Sequence, residues 1–269
     1  MLDAIPAHTR RPTSFATALR HYRAGRRMSQ LDLACNSNVS ARHVSFLESG
    51  RAQPSRDMVM QLAQGLVLPL AARNSLLQAA GFVPAYPASP LDSEALGPFR
   101  AVLSEMMAKH APNPALVCDR HWNLLDANLT AKALITGLDP SGTESNLIRL
   151  LSEQPLAPDL VANYPQVVHE MTARLQLEAL EAGDDPILQA LLQSLQRASK
   201  THPYKAPSGQ RSPVVPLIFK TPGEPLSFLS VIAHFGTSED VTVRDLRLEL
   251  FFPTNDHTRA AMAALGEQG

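Results

Sequence analysis

Two short helical patterns joined by a tight polar turn lie between residues 29 and 55, and they constrain the fold more than any other feature of the chain. Ser29 and Gln30 open the first helix, and the Asn and Ser residues of the run 35–38 favour a turn that ends it. Ser40, a good N-cap residue, opens the second helix. The pattern therefore predicts a helix-turn-helix, a motif whose second helix lies in the major groove of DNA.

The string at residues 39–55 carries a more specific likeness. It reads VSARHVSFLESGRAQPS and resembles the Xre/Cro/lambda-repressor type of helix-turn-helix, within the common bacterial form V-S-x-x-x-x-S-x-L-E-x-G-x-x-x-P-S. The likeness covers roughly residues 13–83, and helical patterns at 15–24, 56–68 and 70–80 complete the plan. We therefore expect an all-α, five-helix DNA-binding domain at residues 10–83.

The charge of the chain is divided unevenly along its length. Up to residue 83 there are ten arginines and four acidic residues, a net charge of +6, and the remainder has 14 Lys and Arg against 21 Asp and Glu. A basic segment of this density suits a phosphate backbone. Arginine presents a planar fork to phosphate or to guanine, which supports duplex DNA as the partner.

Helical geometry assigns roles within the second helix. Val44 and Leu47 share an inward face, while Arg42 in the first turn points outward and can reach guanine O6 and N7. Phe46 also points outward, where it can touch a thymine methyl group or pack on the next helix. The candidate DNA-binding residues are Gln30, Ser40, Ala41, Arg42, His43, Ser45, Phe46, Arg51, Arg26 and Arg27.

The resemblance implies roles for residues around this helix. The residue matching Gln30 bonds a phosphate in the family, and Arg26, Arg27 and Arg51 are expected phosphate contacts. An acid at the position of Glu48 pairs with an arginine of the first helix, here Arg23, so both are expected to be structural. A DNA contact for Arg23 is the alternative.

Three prolines within residues 84–90 predict a domain boundary, so residues 84–93 are expected to form a stiff linker. Residues 199–213 are a second irregular stretch, read as a mobile loop or as a lid over a pocket. No apolar run of about 18 residues predicts a membrane span, and no secretion signal is apparent. Neither cysteine has metal-ligand or disulfide-framework spacing, so we expect a cytoplasmic protein at the nucleoid.

Residues 94–265 follow a different pattern. Strand-like runs at 115–118 and 123–127 precede a helical block at 146–199, and alternating strands return at 214–220, 226–235 and 246–252. This order predicts an α+β domain with an antiparallel sheet. The runs 114–122 and 126–128 and the block 216–253 resemble the PAS-like, MmyB-like ligand-binding domain of helix-turn-helix regulators.

The resemblance implies a small apolar effector, with a fatty acid as the favoured class. Such a molecule needs an apolar tunnel and one or two polar groups for its carboxylate. The candidate ligand-binding residues are Arg120, Trp122, Asn128, Tyr164, His169, Arg174, Phe228, Ile232 and Phe235. Core packing is the alternative for the apolar residues, and helix capping or a solvated surface position is the alternative for several polar ones.

Motifs for catalysis, metal binding and cofactor binding are absent from the sequence: it has no H-E-x-x-H, paired C-x-x-C, Walker loop, G-x-G-x-x-G or G-x-S-x-G. We therefore expect no enzyme, no metal and no cofactor apart from a bound fatty acid as effector. The predicted function is a homodimeric transcriptional repressor on an operator. The alternatives are a ligand-free DNA-binding protein whose second domain dimerises or binds a protein partner, and an enzyme carrying a DNA-binding module.

Overall fold

The computed structural model describes residues 14–182, 185–205, 214–236 and 238–266, and the chain divides into two compact units at residues 87 and 88. The segment 84–93, expected to be a linker, is shared between them. Asn74 holds Tyr86 in the first unit through hydrogen bonds with its backbone, and the Ser89 amide donates to Asp240 in the second. Residues 10–13, and 206–213 of the expected loop, lie outside the described residues.

The described part of the N-terminal unit folds into five helices. They are α1 (Phe15–Gly25), α2 (Gln30–Asn36), α3 (Ala41–Glu48), α4 (Arg56–Gly65) and α5 (Leu70–Ala79). Ser14, Ser29, Ser40 and Ser55 each accept a hydrogen bond from a backbone amide in the first turn of the helix that follows. These caps explain why the first four helices begin where they do, and the helical N-terminal expectation is confirmed.

The core of this unit is formed by leucine and valine side chains from all five helices. Leu19, Leu33, Val44, Leu62 and Leu76 are fully buried. This pattern matches the inward face expected for α3, because the helical spacing of apolar residues turns one stripe of each helix toward its neighbours.

Two helix ends differ from the sequence expectation. Helix α2 continues through Asn36, so the turn begins at Ser37 and uses Asn38 at a φ of 49°. Helix α4 ends at Gly65 instead of residue 68, because Val67 adopts a φ of 51° that no helix can continue. Gly65 also lies so close to the turn that a Cβ there would be 2.1 Å from Ser37 Oγ.

The C-terminal unit begins with a short 3₁₀ helix (Glu94–Leu96) and then alternates helices and strands. Its helices are α6 (Gly97–His110), α7 (Leu129–Leu138), α8 (Leu147–Ser152), α9 (Ala157–Leu160), α10 (Tyr164–Ala182), α11 (Pro186–Thr201), α12 (Val241–Asp245) and α13 (Asp256–Gly266). Its strands are β1 (Ala115–Cys118), β2 (Leu124–Ala127), β3 (Leu217–Phe219), β4 (Leu226–His234) and β5 (Arg247–Pro253). The α+β expectation, with a PAS-like unit and an antiparallel sheet, is confirmed.

The five strands of the described residues form one antiparallel sheet in the order β2-β1-β5-β4-β3. Because opposite partners in an antiparallel pair share a face, the register puts Glu249 with Leu116 and Ile232 on one face. Leu248 lies with Val117 and Ala233 on the other face. The first face packs toward α7, α8, α10 and α11, and the second packs against α6, so the sheet separates two cores.

The described helices include none that is both long and apolar enough to cross a bilayer. Cys35 is exposed and Cys118 is buried, and both are free thiols. Burial raises the pKa of the Cys118 thiol to about 12, so it is held as an unreactive thiol.

Candidate DNA-binding surface and effector cavity

Helix α3 presents the side chains expected to read DNA. Ser40 caps it through a 3.1 Å hydrogen bond from the His43 amide, and Arg42 is exposed in its first turn. The Arg42 guanidinium lies 5.2 Å from the centre of the Phe46 ring, and Ser45, Ala41 and His43 are half-buried. The arginine thus covers part of the outward phenylalanine, which accounts for an aromatic residue on this surface.

A buried ion pair holds α3 against α1. Glu48, only 2% exposed, accepts hydrogen bonds from Arg23 Nε at 2.6 Å and Arg23 Nη2 at 2.9 Å. Gln30 Nε2 donates a third hydrogen bond to the same carboxylate at 2.8 Å, and Arg20 donates to the Glu48 carbonyl at 2.7 Å. Burial raises the pKa of Glu48, but the hydrogen bonds and charge of Arg23 and the bond from Gln30 outweigh it, so the net pKa is lowered.

The other expected DNA contacts fall into two groups, namely side chains that are hydrogen-bonded within the unit and side chains that are exposed. Gln30 lies at the start of α2, as expected, but its side-chain amide is bound to Glu48 in this structure. Arg26 Nη2 donates to the Val67 carbonyl at 3.1 Å. Arg27 and Arg51 are exposed. Exposed arginines suit phosphate contacts, whereas Gln30 must exchange or share its present partner to reach one.

A cavity of about 200 Å³ lies between the inner face of the sheet and the helices packed on it. Its wall combines residues of three helices and four strands with several connecting residues. The apolar lining is Pro114, Leu116, Trp122, Ala131, Leu134, Ile135, Leu138, Leu147, Ile148, Leu150, Leu151, Val161, Val167, Met171, Val215, Leu217, Phe219 and Phe251. Glu170, Ser230 and Glu249 complete it. An almost entirely apolar wall with few polar groups is the usual composition of a small-molecule site.

Trp122 borders this cavity and is held by charged groups. Its indole Nε1 donates to Glu178 Oε2 at 3.0 Å. Arg174 and Arg247 lie over the ring, and their guanidinium carbons are 4.8 Å and 4.7 Å from its centre. Each arginine also forms an ion pair with Glu178 at 2.9 Å. The backbone of Trp122 has a φ of 65°, which is strained for a bulky residue and requires such surrounding contacts.

Of the nine expected ligand-binding residues, the structure brings Trp122 to the cavity wall. Among the polar candidates, Arg120 pairs with Asp185 at 2.5 Å, and Asn128 caps α7 through the Ala131 amide. Tyr164 donates to the Leu151 carbonyl at 2.9 Å. His169 lies exposed beside Tyr204, and Arg174 holds the Trp122 ring from outside the lining.

The remaining apolar candidates also lie away from the lining. Phe228 is fully buried within the inner core, and Ile232 packs against that core. Phe235 lies on the opposite side of the sheet, where the centre of its ring is 4.7 Å from the centre of the Phe99 ring of α6. The alternation that places residue 235 with Val231 and Ala233 already predicted this separation from Ile232, because odd and even positions of a strand face opposite ways.

Sequence reasoning did not single out the residues of α7 and α8 that form much of the wall. Leu134, Ile135 and Leu151 look like ordinary core positions in a sequence. Glu249 alternates with Leu248 and Leu250, a pattern that predicts a polar residue on the solvent side of a half-buried strand, so alternation did not indicate that it faces the cavity. Glu249 lines the cavity and is partly buried, and burial raises its pKa against the opposing effects of Ser230, Arg174 and Arg247.

Comparison with protein-family models matches both units. Residues 14–76 match a helix-turn-helix domain, and residues 99–265, more than half of the chain, match the MmyB-like transcription regulator ligand binding domain. The chain belongs to the MmyB-like transcription regulators. A search of curated proteins gave no match.

Both functional parts of this MmyB-like regulator therefore coincide with a matched family. The five-helix unit is a DNA-binding domain, and the unit that contains the cavity is a ligand-binding domain. Neither matched family is enzymatic. Within the described residues, no group of three or more His, Cys, Asp or Glu side chains is arranged to hold a metal ion.

Proposed function

We propose that this MmyB-like regulator is a repressor that binds a pseudopalindromic DNA operator as a homodimer and responds to a small apolar molecule held in the cavity. The observation that carries the effector part is the cavity itself, about 200 Å³ with an almost continuous apolar lining. An apolar cavity of roughly 150 Å³ is large enough to bind benzene. A guest somewhat larger than benzene is therefore the expected size.

The DNA-binding part rests on the cationic surface and on the match to a helix-turn-helix domain. Arg42 lies exposed on α3, and Arg27 and Arg51 are exposed in the neighbouring turns. Contacts of this kind neutralise phosphates and release counterions, so the logarithm of the binding constant should fall steeply with the logarithm of salt concentration. With duplex DNA as its partner, the proposed location of the protein is the nucleoid of the cytoplasm. A salt response near zero would contradict this electrostatic mode of binding.

The fatty acid favoured by the resemblance finds support only for its hydrocarbon part. An acyl chain of modest length suits the apolar wall. The described lining, however, includes Glu170 and Glu249 and contains no Arg, Lys or His that could receive a carboxylate. We therefore propose the broader class, a small apolar effector, as the molecule that this domain senses.

For the effector to change DNA binding, it must bind one arrangement of the dimer more tightly than another. Filling the cavity with a side chain should mimic or block this effect. Ala131 on α7 lines the cavity and is 2% exposed, so Ala131→Leu places three further carbon atoms in the space available to a guest. Ala133→Leu on the same helix is a matched control, because that residue is exposed to solvent.

The test uses full-length protein and two readouts. Small apolar probes such as toluene should change the emission of Trp122, the single tryptophan of the chain, and should change the affinity for operator DNA measured by fluorescence anisotropy. Ala131→Leu should weaken probe binding at least about tenfold, whereas Ala133→Leu should behave as wild type. If no apolar probe alters either signal, the second unit is better explained as a dimerisation or protein-binding domain.

A further inference from the structure

We infer that Arg42 and Phe46 together read a guanine and the 5-methyl group of a pyrimidine that lies within two base pairs of it. The inference rests on the proposed binding to an operator and specifies what α3 recognises there. The juxtaposition that carries it is the Arg42 guanidinium over the Phe46 ring, 5.2 Å from the ring centre. Affinity for DNA then depends on thymine methyl groups and on cytosine methylation.

The Phe46 ring is half-buried, yet it lies outside the apolar core of its unit. Val44 and Leu47, its neighbours on α3, are fully buried in that core, and half-buried side chains such as Met58 pack against it. Phe46 belongs to neither set within the described residues. Packing on the next helix, the other role expected from the sequence, therefore finds no support, and the ring is available as an apolar surface on the outward side of α3.

The backbone that carries this ring is fixed in place. The Phe46 carbonyl accepts hydrogen bonds from the Arg51 amide at 2.9 Å and from the Ser49 hydroxyl at 3.2 Å. The next two residues of α3, Leu47 and Glu48, are buried against the rest of the unit. Because these contacts determine its position, Phe46 offers a rigid surface for a base to contact.

Arg42 keeps its hydrogen-bond donors available. Within the described residues its guanidinium forms no hydrogen bond and no ion pair, whereas Arg20 and Arg23 both donate to Glu48. A planar guanidinium stacked on an aromatic ring still presents its N–H edge, and that edge matches guanine O6 and N7. Stacking also restricts the long side chain before DNA binds, so less conformational freedom is lost on binding.

The spacing of the two residues sets the distance between the two bases. Residues 42 and 46 are about one turn apart and lie on the same side of α3. Four residues advance about 6 Å along a helix, and successive base pairs are about 3.4 Å apart. In the major groove the two side chains therefore reach base pairs that are adjacent or one apart. The apolar feature of that groove is the thymine methyl group, and 5-methylcytosine carries its methyl at the same ring position.

The experiment first defines the operator by selecting duplexes from a random library with the full-length protein. The selected site should contain, in each half-site, a guanine with a thymine within two base pairs. Each such thymine is then replaced by uracil, which removes only the methyl group. Burial of a methyl group corresponds to about fourfold in a binding constant, so uracil at the thymine that Phe46 contacts should weaken the affinity measured by anisotropy about fourfold for each half-site. At the same position, 5-methylcytosine should bind about fourfold more tightly than cytosine.

Three variants assign the two preferences to the two side chains. Phe46→Ala should bind the thymine and uracil duplexes equally, whereas Phe46→Leu keeps an apolar surface and should retain most of the difference. Arg42→Ala should lose the preference for the guanine. The control is Val83→Ala, which removes a 79% exposed apolar side chain of the same unit outside α3 and should keep both preferences. Far-UV circular dichroism establishes that each variant is folded.

The possible results have distinct meanings. If the library yields no preferred sequence, binding to a specific operator fails and this inference fails with it. If a preferred sequence emerges without a thymine near the guanine, or tolerates uracil at every thymine, the operator function stands and methyl recognition is wrong. This measurement uses the wild-type protein and does not depend on the folding of a variant. A thymine preference that persists in Phe46→Ala, or a guanine preference that persists in Arg42→Ala, also overturns the inference, because another group must then supply it.

Discussion

The Arg23–Glu48 pair offers the most direct test of how the DNA-binding unit is held together. Arg23→Ala removes two hydrogen bonds to a carboxylate that is only 2% exposed and leaves Gln30 as its remaining side-chain partner. Breaking a buried ion pair by deleting one partner costs about 3–5 kcal/mol. For a unit of this size each kcal/mol corresponds to roughly 4–8 °C, so we expect a fall in melting temperature of about 12–40 °C.

Replacing both partners should cost much less. The double variant Arg23→Met with Glu48→Leu leaves no buried charge, and what remains lost is mainly the 2.7 Å hydrogen bond from Arg23 to the Met28 carbonyl and the 2.8 Å hydrogen bond from Gln30 to residue 48. Such a bond contributes about 1 kcal/mol. The double-mutant cycle built on Arg23→Met and Glu48→Leu should therefore show a coupling of at least about 3 kcal/mol between the two side chains, because the double variant costs less than either single variant.

The pair should also depend on pH in a defined direction. The pKa of Glu48 is lowered from its ordinary value of 4.5, so its ionised form stabilises the folded state above pH 4.5, and this contribution is lost as the pH falls through the lower folded value. As the pH falls into the acid range, the free energy of unfolding of wild type should therefore decrease relative to that of the double variant.

The assay is urea unfolding of the full-length protein followed by far-UV circular dichroism. Trp122, the single tryptophan, lies in the C-terminal unit, so its emission serves as an internal reference that Arg23→Ala should leave unchanged. A cost of less than about 1 kcal/mol for Arg23→Ala, or a double variant as unstable as the two single variants added together, would contradict a stabilising Arg23–Glu48 pair.

Three further predictions concern other residues. Arg42→Ala should weaken operator binding by about 1–3 kcal/mol and relax base preference at one position in each half-site; unchanged selectivity in anisotropy measurements on operator variants would contradict a base-reading role. Asp185→Asn should lower stability at neutral pH, because the pKa of this carboxyl is lowered from 3.8 to about 2 in the folded protein. The difference in urea midpoint between variant and wild type should shrink as the pH falls toward 2. A difference that does not depend on pH would argue against the ionic contribution. Gly65→Ala should destabilise by about 1–3 kcal/mol because its Cβ meets Ser37 Oγ, whereas Gly25→Ala, which meets nothing within 4 Å, should not; equal melting temperatures would show that the turn adapts.

The helix-turn-helix could be read from the sequence because local chemistry determines most of it. Ser29, Ser40 and Ser55 mark helix starts through their own side chains, and the spacing of Val44 and Leu47 defines the buried face of α3. The end of α4 was less predictable, because Val67 takes a positive φ that a β-branched residue rarely adopts. A sequence pattern gives no reason to place that conformation there.

The candidate effector site was harder to predict because a cavity is a property of packing between distant segments. Trp122 was identified, but Phe228 is fully buried core and Asn128 is a helix cap. The helical period predicts which leucines of α7 and α8 are buried. It does not tell whether a buried leucine packs against another side chain or borders a cavity.

The shared hydrogen-bonding of Glu178 has a mechanical consequence. Its carboxylate joins the turn that carries Trp122, the middle of α10 and the first residue of β5, which are segments far apart along the chain. Because all three donors converge on one acceptor, none can shift without straining the bonds of the other two. The rim of the cavity nearest the indole should consequently move as a single stiff block, and a guest that pushes on the ring transmits its displacement to a helix and a strand at once.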